Sequence, residues 1–272
     1  MPYITGVLND GCEYKKSITK KTRVLRLDNE EFNSQHYLTE LNLSNLSCSE
    51  NIESIIFHKS LYLTQENLND IRKCRTLKEL HLTTDKELDF SVLQDSDLEK
   101  LVIYFIGGSD LFKTLVGLKK LVNVTVEFSS ETDLSLECLP PSLQKLTISG
   151  NIVNFELSKL EHLTLKELSL KGLPACELNF SVEMAQNLEL LCAVYCHDIG
   201  NFHSLPFHGS TKLKTINFSG TYWEHLFIDE FCELESLKWV ILTDTMRIVA
   251  DLSNKKIVSS GWKRWEEYIS CY

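Results

Sequence analysis

The sequence predicts a mixed α/β solenoid: short parallel strands line a concave sheet, helices and irregular turns make the convex side, and a cap closes each end. Three observations predict it. An L-x-x-L-x-L pattern, with Ile, Val, Phe or Ala admitted, recurs eight times, starting at Leu77, Leu98, Leu121, Leu143, Leu165, Leu188, Leu213 and Leu237. The starts are separated by 21, 23, 22, 22, 23, 25 and 24 residues, a period too regular for chance. Finally, the inward row of one such strand cannot be buried by its own unit, so neighbouring units must stack these rows into one apolar column. The parallel ladder then supplies the backbone hydrogen bonds.

Taken in order, "TRVLRLDN" and "LTELNLSN" read as capping strands, paired as a hairpin or separately. The motif starts at Leu38 and Ile52 lie only 14 residues apart, too few for a full solenoid turn. "IESIIF" (Ile52, Ile55, Phe57) opens the regular array. Some returns read as helical: "TQENLNDIRKC" has Thr64 as N-cap with Leu68 and Ile71 on one face, and "SDLFKTLVGL" has Ser109 as cap. "FIDEFCELESL" does the same through Phe227, Phe231 and Leu234, whereas Ser129 to Pro141 is too proline-marked for more than a turn or two. The tail, with Ile257, Val258, Trp262, Trp265 and Ile269, reads as a C-terminal cap or, alternatively, a partner-binding helix. The expected organisation is an N-terminal cap with the first strands over residues 1–51, the repeats over 52–250 and the cap over 251–272.

These residues resemble the leucine-rich-repeat family, whose L-x-x-L-x-L-x-x-N/C-x-L unit carries one strand and one returning segment. The resemblance runs from about residue 38 to 258 and implies a right-handed, horseshoe-shaped solenoid. At the family's Asn/Cys position only Asn151 and Cys196 match. The irregular repeats are distantly similar to those of intracellular F-box proteins, although the 37 residues before Leu38 are too few for a three-helix F-box.

At 272 residues with 43% hydrophobic and 24% charged side chains, the chain can bury a sizeable core. Its formal charge of −10 opposes general attraction to nucleic acid or anionic membranes. The basic run Tyr14 to Arg26 and the acidic run Glu224 to Glu235 read as solvated faces of opposite sign. No window reaches the roughly 18 apolar residues a membrane span needs, and no signal peptide is evident. Nine scattered cysteines without a C-x-x-C pair read as reduced, mostly buried thiols, so an intracellular location, cytoplasmic or nuclear, is expected.

No phosphate-binding, dinucleotide, hydrolase-elbow or zinc-protease motif occurs, and no cofactor, metal or small-molecule substrate is expected. The best enzyme-like cluster, Cys192, Cys196, His197 and Asp198 in "CAVYCHD", is explained by repeat geometry, since one cysteine lies on a strand and the other at the family's turn position. His203 and His208 match no metal spacing.

Strand alternation sends the fourth and sixth motif residues inward and the third, fifth and seventh outward. Most outward rows are polar. Exceptions are Leu190, Cys192 and Val194, then Trp239 and Ile241, with Val102 and Tyr104 as a separate pair. Apolar side chains on an open sheet mark a candidate partner surface. The expected function is a non-enzymatic protein-interaction module binding a protein partner through its concave face. The family resemblance adds two alternatives: a substrate-recognition subunit of a ubiquitin ligase, or a regulatory subunit of an enzyme such as a phosphatase.

Overall fold

The computed structural model describes residues 2–27, 37–49, 51–105, 111–197, 202–221, 231 and 233–242, together with the backbone of 257–259. The chain divides into two compact units. The first comprises Met1–Ser130 with Cys138–Leu143, and the second comprises Glu131–Glu137 with Gln144–Tyr272.

The first unit begins with strands β1 (Tyr3–Leu8), β2 (Glu13–Ser17), β3 (Val24–Leu27) and β4 (Leu38–Asn42), followed by β5 (Ser54–Phe57), β6 (Glu79–Thr84), β7 (Lys100–Phe105) and β8 (Asn123–Phe128). β3, β5, β6, β7 and β8 pair in parallel, with Leu25 opposite Ile55, Ile55 opposite Leu80, Leu80 opposite Leu101 and Leu101 opposite Val124. "TRVLRLDN" is therefore the first strand of the parallel sheet, correcting its assignment as a cap strand. The cap is instead a three-stranded antiparallel sheet in the order β2-β1-β4. Because β4 pairs with β1, the short Leu38–Ile52 interval never has to span a solenoid turn. Gly6 permits that pairing: a Cβ there would come within 2.6 Å of the Glu40 carbonyl oxygen.

The second unit contains β9 (Thr132–Asp133), β10 (Lys145–Ser149), β11 (Ile152–Val153), β12 (Phe155–Glu156), β13 (Glu167–Lys171), β14 (Cys176–Glu177), β15 (Leu190–Val194), β16 (Thr215–Asn217), β17 (Trp239–Leu242) and β18 (Ile257–Ser259). β10, β13, β15, β16, β17 and β18 form consecutive parallel pairs. Two short parallel pairs, β9 with β11 and β12 with β14, were not anticipated from the sequence. Of the expected C-terminal cap only β18 is described, and its backbone adds to β17. The readings of Trp262, Trp265 and Ile269 lie outside the described residues.

All eight motif copies are phased as predicted. The inward pairs, from Leu80 and Leu82 through Leu146 and Ile148 to Val240 and Leu242, are buried, as is every opening leucine. A hydroxyl clamp recurs between successive repeats. Thr76, Ser142 and Ser236, each just before an opening leucine, donate their hydroxyls to the carbonyls of Ile52, Leu121 and Leu213, the opening residues one turn earlier. These bonds satisfy carbonyls that the strand ladder leaves unused.

Helix α1 (Gln65–Ile71) has the expected Thr64 cap, reinforced by Asn67 in a capping box, with Leu68 and Ile71 buried. The Asn67 amide also donates to the Leu41 carbonyl, tying the helix to the cap. Leu111–Thr114 forms a 3-10 turn, and the proposed Ser109 cap lies outside the described residues. Leu136–Cys138 likewise closes a single 3-10 turn. Helix α2 (Val182–Asn187), capped by Ser181, was not anticipated because its six residues are too few for a clear helical period and end directly before the next motif at Leu188. In "FIDEFCELESL", Phe231 and Leu234 are buried, while Phe227 lies outside the described residues. Phe202 stands 5.4 Å from Phe218 and 5.5 Å from Phe231 between ring centroids, filling the core of the second unit with aromatic edges and faces.

Candidate protein-binding faces

The register turns the outward residues of each unit into columns across neighbouring strands. In the second unit one column runs Lys145, Glu167, Leu190, Thr215, Trp239, and the next runs Thr147, Ser169, Cys192, Asn217, Ile241. Charge is confined to the first end, where Lys145 and Glu167 form a 2.6 Å ion pair. At the other end the columns become apolar. Leu190 and Trp239 flank Thr215, about 10 Å apart at two strand spacings, and Cys192 and Ile241 flank Asn217 in the same way. All four are half-buried, each keeping part of its side chain exposed. Thus the rows predicted separately belong to one patch, because β16 is the only strand between them. Val194, at the strand end, is 8% exposed and offers little surface, contrary to expectation.

Beside this patch the structure adds Tyr195, which sequence reasoning missed. The eighth motif residue has positive φ in four successive turns: Gly150 (119°), Gly172 (68°), Tyr195 (54°) and Gly220 (68°). A left-handed backbone suits glycine and strains tyrosine by about 1–3 kcal/mol. Yet Tyr195 keeps the turn, and the residue is 54% exposed. The glycines at equivalent positions in "TISGN", "SLKG" and "NFSG" were the signal that could have singled it out.

In the first unit, Val102 and Tyr104 lie in a polar web. Glu79 sits 2.9 Å from His81 Nε2, Lys100 Nζ and Ser54 Oγ. Burial alone would raise its carboxyl pKa, but bonds to Lys100, Ser54 and His81, with the charge of Lys100, outweigh it and hold the value at about 2. The Lys59 ammonium lies 3.9 Å from the centroid of Tyr104 and 3.4 Å from Glu127, so one face of that ring is already occupied. Val102 is only 6% exposed and Thr83 is also buried, so this face does not present the surface expected of Val102. The Thr83 hydroxyl has no hydrogen-bond partner among the described residues.

The "CAVYCHD" cluster separates. Cys192 faces outward, Cys196 is buried with its Sγ 3.7 Å from the Leu170 carbonyl and 3.6 Å from that of Val194, and His197 is exposed. Asp198 lies outside the described residues. Burial raises the Cys196 thiol pKa and pushes that of Cys192 up to about 11, the opposite of what a nucleophile needs. His208 Nε2 lies 3.3 Å from Ser204 Oγ, while His203 is exposed. No group of three or more His, Cys, Asp or Glu among the described residues could hold a metal ion. No described helix is long and apolar enough to cross a membrane. The seven described cysteines are free: Cys74, Cys176 and Cys196 are buried, Cys138 and Cys192 are partly buried, and Cys12 and Cys48 are exposed.

With the parallel array and its faces defined, comparison with known proteins resolves the fold. No protein-family model and no curated protein matches the chain. An internalin (inlF) from Listeria monocytogenes superposes with a TM-score of 0.59 at 17% identity, covering 79% of this chain and 62% of that one. The fold is a leucine-rich-repeat solenoid. An internalin C2 (inlC2) from the same organism gives a TM-score of 0.42 at 16% identity, covering 72% of this chain and 74% of that one. The chain therefore spans about 62% of the length of the first internalin.

The leucine-rich-repeat turn position is filled differently from the motif expectation. Asn151 is exposed, whereas Thr221 is buried and donates its hydroxyl to the Ala193 carbonyl. It also accepts from the Cys196 amide. Cys196 and Thr221, rather than Asn151 and Cys196, carry the buried turn bonds.

Proposed function

We propose that the chain is a non-enzymatic protein-interaction module whose second unit binds a protein partner through the open face of its sheet. The observation that carries this reading is the partly exposed apolar patch of Leu190, Cys192, Trp239 and Ile241 on a regular parallel sheet. Burying such side chains against a partner removes apolar surface from water, and a central tryptophan is a common source of interface energy. Val194 supports the patch from its buried edge. Val102 and Tyr104 lie outside the contact set, since the first is covered and the second is engaged by Lys59.

Affinity capture with the wild-type chain and the Trp239→Ala variant, paired with thermal melts, tests the proposal. A partner held by the wild type should be lost from a variant that still melts normally, corresponding to about 2 kcal/mol or more of binding energy. Full recovery on a folded variant removes Trp239 from the site. A ligase adaptor among captured proteins would support the ubiquitin-ligase reading, and a phosphatase the regulatory one.

A further inference from the structure

The N-terminal cap carries a surface that the open-face reading does not use. Residues 2–27 contain six basic side chains, Lys15, Lys16, Lys20, Lys21, Arg23 and Arg26, against Asp10 and Glu13 alone, giving this segment a net charge of +4 in a chain of −10. Lys15 pairs with Glu13 at 2.8 Å, whereas Arg23 reaches Glu53 only at 3.8 Å and shares that carboxylate with Lys78. Lys16 donates to the Arg26 carbonyl, and Lys20 and Lys21 project from a turn built on Thr19 and Thr22.

Among the described residues, the same segment also has an open strand edge. β2 is an outer strand of the cap sheet. The bonds from Ile18 N–H to the Pro2 carbonyl and from Leu8 N–H to the Cys12 carbonyl establish the phase of its ladder. Tyr14 and Lys16 exchange backbone bonds with β1, while Glu13, Lys15 and Ser17 turn their N–H and C=O groups to the other side. No described strand pairs there.

We propose that β2 is a docking strand for an acidic, extended segment of another protein, which adds to the open edge while its carboxylates meet Lys15, Lys20, Lys21 and Arg23. Edge lysines oppose pairing with a second copy, which would bring the same charges. They complement an acidic strand. A nucleic acid or anionic bilayer could meet the lysines but could not pair with the strand's backbone groups, and the remainder of this acidic chain would oppose an extended polyanion.

The test uses the full chain and a dye-labelled ten-residue peptide alternating Glu and Val, with a Gln-for-Glu control, read by fluorescence anisotropy. Binding should weaken at least about tenfold for the control and by a similar factor between about 0.05 and 0.3 M salt. Lys20→Ser with Lys21→Ser should weaken it at least about fivefold. Ser17→Pro removes an outward N–H without touching the β1 ladder and should abolish addition, since proline is tolerated only on such an edge. Hydrogen exchange in the wild type provides a second readout: the Lys15 and Ser17 amides should slow when peptide is added. Equal binding of the two peptides, or no protection of those amides, overturns the proposal. So does binding of oligouridylate or phosphatidylserine vesicles in place of the peptide.

Discussion

The ring of Tyr195 lies over Gly220: a methyl group on Gly220 would sit 2.2 Å from the tyrosine Cδ1. Both residues have left-handed backbones at the same position of consecutive turns. Gly220→Ala should therefore cost about 1–3 kcal/mol, combining backbone strain with displacement of the ring. In a Tyr195→Ala background the same change should cost less, because the ring is gone. Denaturant midpoints for the four proteins measure this coupling, and additive costs would show that the ring contact contributes nothing.

Leu146 and Leu168 are opposite one another in the inward column, with Thr147 and Ser169 their outward neighbours. Leu146→Ala and Leu168→Ala should each cost about 2–5 kcal/mol by leaving cavities in a packed stack. Thr147→Ala and Ser169→Ala should stay within about 0.5 kcal/mol. Equal losses in urea titrations would mean that the two faces were reversed.

Glu79 makes stability depend on acid pH. Its carboxyl has a lower pKa folded than unfolded, so its contribution is fully present above the ordinary value of 4.5 and fades as pH falls through about 2. After allowance for solvent screening, the contribution is about 1–2 kcal/mol at neutral pH. Glu79→Gln should destabilise the protein at pH 7 and have a much smaller effect near pH 2. Urea melts across that range check the slope, and an unchanged gap between the two proteins would contradict the proposed origin of the effect.

Thiol chemistry should divide by environment. Cys12 and Cys48 are exposed, whereas burial pushes the Cys74 pKa up to about 11 and raises that of Cys176. Among the seven described cysteines, brief iodoacetamide treatment of the native protein should label Cys12 and Cys48 first. Cys74, Cys176 and Cys196 should react only after unfolding, with mass spectrometry locating the adducts. Rapid native labelling of Cys74 would contradict its packed position.

The strand half of the repeat was legible because its signal is local: every third, then second, residue must be apolar for one row to enter the column. Leu80, Val124 and Leu168 obey that rule whatever their neighbours do, so the motif alone located the strands, their direction and their inward faces. Sequence also identified Leu190, Cys192, Trp239 and Ile241 as outward residues. It could not decide what lies beside or above them. Register across β16 joined the two rows into one patch, while packing covered Val102 and Val194. The cap was hidden for the same reason. Val24–Leu27 and Leu38–Asn42 have similar strand patterns, yet one joins the parallel sheet and the other pairs with Tyr3–Leu8. Alternation specifies a strand's faces, whereas its partner is chosen by which available edge satisfies its backbone bonds and buries its apolar side at the same time.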